Sequence, residues 1–98
     1  MSGAPEYELE GILQMVLPPV PVGRSRYKLP FVVLSDTPRP QSIQFEAYGD
    51  LIPYIQNLPL RERVRVRFAL EGWLWHPPQG ASRYVTRLTA IAVERLHA

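Results

Sequence analysis

The chain has 98 residues, 46% apolar and 20% charged, with a formal net charge of +2. That length supports one core and excludes a second, and the absence of cysteine excludes disulfides and thiolate metal sites. Eleven prolines against six glycines favour short strands joined by stiff turns over a helical bundle. The cations are ten arginines and one lysine, a bias that fits a GC-rich genome or heat stability and equally fits planar contact with phosphates and bases.

Residues 1–5 read as a disordered tail of small residues, and 6–98 as a single domain. The first charges are Glu6, Glu8 and Glu10, the reverse of a secretory leader, and no apolar run approaches the roughly 20 residues that span a bilayer. A cytoplasmic protein without membrane contact is expected. Tyr7–Leu17 alternates as strand one and changes phase at Gly11, which predicts a bulge or bend that lets one strand serve two sides of a small barrel. Glu6, Glu8 and Glu10 lie along one edge of it, as a solvated face or as ion-pair partners for arginines elsewhere.

Pro18–Arg24 carries three prolines in four residues and is expected to be a loop that cannot continue a sheet. Strand two is Arg26–Asp36 with a buried centre at Phe31–Leu34, and Pro30 inside it predicts a bulge or an edge. Strand three is Ser42–Ala47, with Ile43, Phe45 and Ala47 inward. Over Tyr48–Leu58 the apolar residues Leu51, Ile52, Ile55 and Leu58 recur at spacings of three and four, a short helix with Asp50 as N-cap and Pro53 in its first turn.

Arg61–Trp75 is strand four and the centre of the pattern. Val64, Val66, Phe68, Leu70 and Leu74 take one face, while Arg63, Arg65, Arg67, Glu71, Trp73 and Trp75 take the other. A helix would scatter both sets around its axis. The arginines suit either a solubilising strand face or a polyanion. The two indoles suit a second apolar patch, a subunit interface, or stacking platforms for bases. His76–Ser82 is a long hairpin loop. Strand five, Arg83–Leu96, sets Tyr84, Thr86, Leu88, Ala90 and Ala92 against Val85, Arg87, Thr89, Ile91 and Val93.

Five strands with a helix between the third and fourth is the chain order of the OB-fold, an all-β, five-stranded Greek-key barrel whose usual ligands are oligonucleotides and oligosaccharides. The segments Ile43–Ile52 (IQFEAYGDLI), Val64–Gly72 (VRVRFALEG) and Tyr84–Glu94 (YVTRLTAIAVE) resemble a family of small bacterial and phage proteins. That family carries a domain of unknown function and is grouped with the single-stranded-DNA-binding OB proteins. The most diagnostic piece is F-E-x-aromatic-G-D, here Phe45, Glu46, Ala47, Tyr48, Gly49 and Asp50. The resemblance implies single-stranded nucleic-acid binding as a dimer or tetramer. The chain ends at ERLHA without the acidic tail through which many such proteins recruit partners, so an accessory or phage role in DNA replication or repair is expected.

Catalysis needs a nucleophile, an acid/base pair or a metal within mutual reach. His76 lies in a loop and His97 is penultimate, neither with a carboxylate at helical spacing, so no enzyme, metal or cofactor is expected. The favoured function is binding of single-stranded DNA, with RNA the alternative, largely independent of sequence. Arg63, Arg65 and Arg67 meet phosphates, Trp73, Trp75, Tyr27 and Tyr84 stack on bases, and Arg24, Arg26, Lys28, Arg83 and Arg87 rim the groove. Tyr27 and Tyr84 also suit packing at the barrel rim, and Tyr48 suits anchoring the helix to the barrel. Two other functions fit fewer residues: an oligomerising or protein-binding OB module, and an oligosaccharide site that would leave the arginines without a role.

Overall fold

The structure, a computed structural model, describes residues 3–96. Met1 and Ser2 of the expected tail lie outside the described residues, as does His97. Pro5 is tied to the sheet, its carbonyl accepting from the Leu70 N–H at 2.9 Å. In chain order the elements are β1 (Glu6–Val16), β2 (Val20–Gly23), β3 (Arg26–Ser35), β4 (Ser42–Tyr48), α1 (Leu51–Gln56), β5 (Arg63–Trp75) and β6 (Arg83–Arg95).

Closure of the barrel depends on β1. Its first half, Glu6–Ile12, pairs antiparallel with β5, and its second half, Gly11–Val16, pairs antiparallel with β3. β3 pairs with β4, β4 meets β6 in parallel at Glu46↔Thr89, and β6 pairs with β5, which returns the ring to β1. Gly11 and Ile12 are shared by both ladders, and Gly11 is the point of closest approach. A Cβ there would overlap the Leu34 carbonyl oxygen and lie 2.8 Å from Val33 Cγ1, so only glycine allows this approach. The expected bend at Gly11 is this crossing, and the register shift itself falls just beyond, between Leu13 and Met15.

The proline-rich segment differs from expectation. It contains β2, which pairs antiparallel with the start of β3 through Val20↔Lys28 and Pro21↔Tyr27. β2 ends the strand order β1-β5-β6-β4-β3-β2, and an edge is where the missing proline N–H removes no ladder bond. Pro30, expected at a bulge or edge, is buried within β3. Its carbonyl accepts from the Leu17 N–H at 2.9 Å, which turns its nitrogen to the same side, past the last β1–β3 pair Val16↔Phe31.

The inward faces fill the barrel with Leu13, Leu29, Phe31, Val33, Phe45, Ala47, Val64 and Val66, each almost completely buried. Phe31 stacks on Phe45 at 5.5 Å between centroids, and Phe68 tilts against Phe45 at 5.0 Å. Full burial of one such Val, Leu or Phe side chain contributes about 1.5–3 kcal/mol. Ile55 and Leu58 join the same core. α1 is shorter than expected. Asp50 occupies the N-cap position without a side-chain capping bond, and the Ile52 N–H is met by the Gly49 carbonyl at 3.1 Å instead. Pro53 falls in the first turn, where its missing N–H is harmless.

β5 and β6 are each 13 residues long and outrun the barrel. Arg67↔Ala92 is followed by Phe68↔Ala90, so Ile91 is an extra residue in β6. This bulge resets the strand: Leu88, Ala90 and Val93 pack on the core and Ile91 faces out, where simple alternation paired Ile91 with Val93. Beyond the Leu70↔Leu88 pair no described residue of the hairpin packs on the core. Leu70 and Leu74, expected inward, are exposed, as are Trp73, Trp75 and Tyr84.

Gly11→Ala is expected to lower the unfolding free energy by about 2–3 kcal/mol, because overpacking here forces backbone apart. Gly3→Ala, whose Cβ would meet open space, changes it by less than about 0.5 kcal/mol. Urea denaturation of both variants measures the difference.

Candidate nucleic-acid interface

The outward face of β5 divides into two chemically different halves. In the first half every arginine meets a carboxylate. Arg63 Nη2 donates to Asp36 Oδ2 at 2.9 Å. Arg65 donates through Nε and Nη2 to Glu10 Oε2 at 2.9 and 2.8 Å, and through Nη1 to Glu94 Oε1 at 3.0 Å. Arg67 Nε lies 3.9 Å from Glu6 Oε1. Register places Glu10 opposite Arg65 across β1 and β5 and Glu94 opposite it across β5 and β6, whereas Arg67 reaches diagonally past Glu8 to Glu6 and Arg63 reaches Asp36 beyond the end of β3. Bonding to Glu10, then its charge, raises the Arg65 pKa above its ordinary value. The acidic strand one is therefore the partner of the arginine row, and this half presents a neutralised ladder.

The second half is aromatic and basic. Trp73, Trp75 and Glu71 stand across from Val85, Arg83 and Arg87 on β6. The Arg83 guanidinium lies over the Trp75 ring at 4.7 Å and that of Arg87 over Trp73 at 4.9 Å. Arg87 also sits 6.0 Å above the Tyr48 ring and donates from Nη1 to the Tyr48 hydroxyl at 3.4 Å. Each indole thus has one face covered by a cation and remains about 40% exposed. Such guanidinium–indole contacts are favourable and hold the rings in place.

The floor continues across the closing β6–β4 contact. A hollow of about 330 Å³ is bordered by Lys28, Gln44, Glu46, Trp73 and Arg87. Next to it, Arg26, Lys28, Tyr48 and Arg87 border a second, and Arg26, Tyr27 and Tyr48 a third. The three share residues and form one surface over β3, β4, β6 and β5. Arg24 is exposed in the turn between β2 and β3. Tyr84 does not join this group. It stands opposite Leu74, on the other face of the hairpin, and is 83% exposed.

Of the residues anticipated from sequence, the fold gathers Arg26, Tyr27, Lys28, Trp73, Trp75, Arg83 and Arg87, keeps Arg24 at the rim, and separates Arg63, Arg65, Arg67 and Tyr84. It adds Tyr48, anticipated only as a helix anchor, and two unanticipated carboxylates. Glu71 Oε1 accepts from the Thr89 hydroxyl at 2.7 Å and lies 3.5 Å from Arg87 Nε. Glu46 Oε2 meets Lys28 Nζ at 2.7 Å. Alternation had marked both glutamates as outward-facing, but their partners are set by strand register. His76 Nδ1 lies 2.7 Å from Ser82 Oγ across the hairpin loop. Among the described residues no helix is long and apolar enough to cross a membrane, and no three metal-ligating side chains cluster.

A closed five-stranded ring with a helix between its third and fourth strands defines the molecule as an OB-fold protein. Residues 8–94 match the family model described as Domain of unknown function (DUF3127), and the chain belongs to that family. No curated protein sequence matches it. Among solved structures it is similar to the mitochondrial single-stranded DNA binding protein Rim1 of S. cerevisiae, at TM-score 0.71 and 9% identity over 97% of both chains. The N-terminal domain of PriB from Thermoanaerobacter tencongensis, described as dimeric, gives a TM-score of 0.70 at 12% identity, covering 95% of this chain and 97% of that one. The small single-stranded DNA-binding protein of Streptomyces coelicolor gives 0.65 at 14% identity, covering 96% of this chain and 95% of that one.

Arg87→Ala uncovers a face of Trp73, so acrylamide quenching of the tryptophan fluorescence is expected to increase. The same change at Arg63, in the neutralised half, leaves it unaltered.

Proposed function

We propose that this protein binds single-stranded nucleic acid, DNA in the first instance, through the outer face of the β5–β6 hairpin and the adjoining β3–β4 surface. The observation that carries this reading is the pair of half-covered indoles, Trp73 and Trp75, set two residues apart on a projecting hairpin and backed by Arg87 and Arg83. A base stacked on the open face of each indole completes a guanidinium–indole–base stack, and every base has a π-face, so the contact is largely blind to sequence. Tyr27 adds a further ring. Arg24, Arg26 and Arg83 have no carboxylate partner among the described residues and meet phosphates. Lys28 and Arg87 are held by Glu46 and Glu71 and contribute less charge. Two of the similar structures, those of Rim1 and of the small Streptomyces coelicolor protein, are of single-stranded DNA-binding proteins, which supports the same reading.

Arg63, Arg65 and Arg67 are assigned to the ion-pair ladder, where a phosphate would have to compete with a carboxylate already placed beside each guanidinium. The opposite face of the hairpin, with Leu70, Leu74 and Tyr84 exposed, favours a second, compatible role. It is a surface for self-association into a dimer or tetramer, and taken alone it would make the protein an OB interaction module.

Titration of tryptophan fluorescence with oligo-dT of about 30 nucleotides, several OB-fold site sizes long, tests the assignment. Quenching by the single strand and little by duplex is expected, and fluorescence anisotropy of a dye-labelled strand, which does not depend on the chain's two tryptophans, is expected to show Trp73→Ala/Trp75→Ala weakening binding at least about tenfold. Neutralising about three phosphates gives a slope of log affinity against log salt near −2. Arg67→Gln should leave affinity within about twofold of the parent, whereas a loss as large as that of the tryptophan variant would return the ladder arginines to the interface. Leu74→Asp/Tyr84→Asp separates the two roles: light scattering reports its oligomeric state while the titration reports binding.

A further inference from the structure

Phosphate and base stacking call for cations and rings, and carboxylates placed among them oppose the phosphates. Two carboxylates nevertheless stand in this floor. Glu71 is occupied by Thr89 and Arg87. Glu46 is occupied through one oxygen only. Its Oε2 meets Lys28 Nζ at 2.7 Å, which fixes the orientation of the carboxylate, and its Oε1 is buried without a hydrogen-bond partner. A buried acceptor lacking a donor is unfavourable, the more so when charged. The carboxylate borders the hollow of about 330 Å³ that Trp73 and Arg87 also line, which has room for one nucleobase against the indole.

We propose that Glu46 makes this hollow a base-reading subsite that selects an exocyclic amino group, resting on the single-strand reading above. A phosphate cannot satisfy Glu46 Oε1, because it brings only acceptors at neutral pH. A base amino group can, as carboxylates do when they accept from cytosine N4. Cytosine also places N3, an acceptor, beside that amino group, where the Lys28 ammonium on the neighbouring carboxylate oxygen can donate. Uracil and thymine offer Glu46 only N3–H, flanked on both sides by carbonyl oxygens that face the carboxylate lone pairs. The site therefore superimposes a preference for amino-bearing bases on an otherwise sequence-tolerant grip.

Oligo-dC and oligo-dU, which differ only in the amino or carbonyl group at the 4-position and the protonation of N3, make the test, titrated against tryptophan fluorescence at slightly alkaline pH. The parent protein is expected to bind oligo-dC at least about fivefold tighter than oligo-dU. Glu46→Ala removes the acceptor and releases Lys28, so the two affinities converge within about twofold and oligo-dU binding improves. Glu46→Gln, closer in shape and a safeguard should the alanine variant fail to fold, keeps its carbonyl on Lys28 and turns its amide N–H groups into the hollow, which shifts the preference toward oligo-dU. Equal binding of both strands by the parent, or a parental preference retained by Glu46→Gln, overturns the base-reading role while leaving single-strand binding intact. If neither strand binds, the single-strand reading fails and this subsite with it.

Discussion

Everything in this fold passes through the contact between Gly11 and the Leu34 carbonyl. At that point β1 leaves one sheet edge and joins another, and the missing side chain is what brings the two backbones close enough for both ladders to form. Once β1 is shared, β5 and β3 become its two neighbours and the remaining strands have only one way round. The core closes with Phe31, Phe45 and Phe68 in a row. β5 and β6 are then left with more length than the barrel can use, and the surplus is the hairpin that carries the indoles.

Charge is sorted along β5 by what lies across from it. Where β5 runs beside β1, the facing residues are Glu10 and Glu8, with Glu6 close by, and the arginines are spent on local ion pairs. Such partly exposed pairs contribute little to stability, but they cancel the field of that half. Where β5 has only β6 beside it, the facing residues are Arg87, Val85 and Arg83, and the cations lie on rings. A molecule with a formal charge of only +2 can in this way present one aromatic surface rimmed by cations, because the carboxylates of Glu6, Glu10, Asp36 and Glu94 are taken up by the arginines of the other half.

The alternation of Val64, Val66 and Phe68 and of Ile43, Phe45 and Ala47 was legible because each strand has one face on a core and one on water. The helix was legible from the spacing of Leu51, Ile55 and Leu58. What alternation cannot express is the identity of the neighbour. Arg65 meets Glu10 and Glu94, at separations of 55 and 29 residues, and nothing local to RVRVR marks that pairing. The Ile91 bulge has no local mark either, since Ala90, Ile91 and Ala92 are all acceptable on a half-buried face. The bar that proline sets against sheet structure holds for interior strands and fails at an edge, which is where the segment before Gly23 lies. Trp73 and Trp75 stand out in the sequence as indoles on an outward face, but their guanidinium partners are set by the pairing of β5 with β6.

β2 also bears on how the protein behaves when crowded. An exposed terminal strand bearing Val20 and Val22 is the kind of edge on which another chain could add and begin an aggregate. Here the strand is four residues long, with Pro21 within it and Gly23 at a φ of +144° closing it. A proline cannot donate to an incoming strand, and the glycine turns the chain away after one more residue. The edge is thereby guarded against further sheet growth, so copies of the chain can stand close together at high concentration without their sheets fusing.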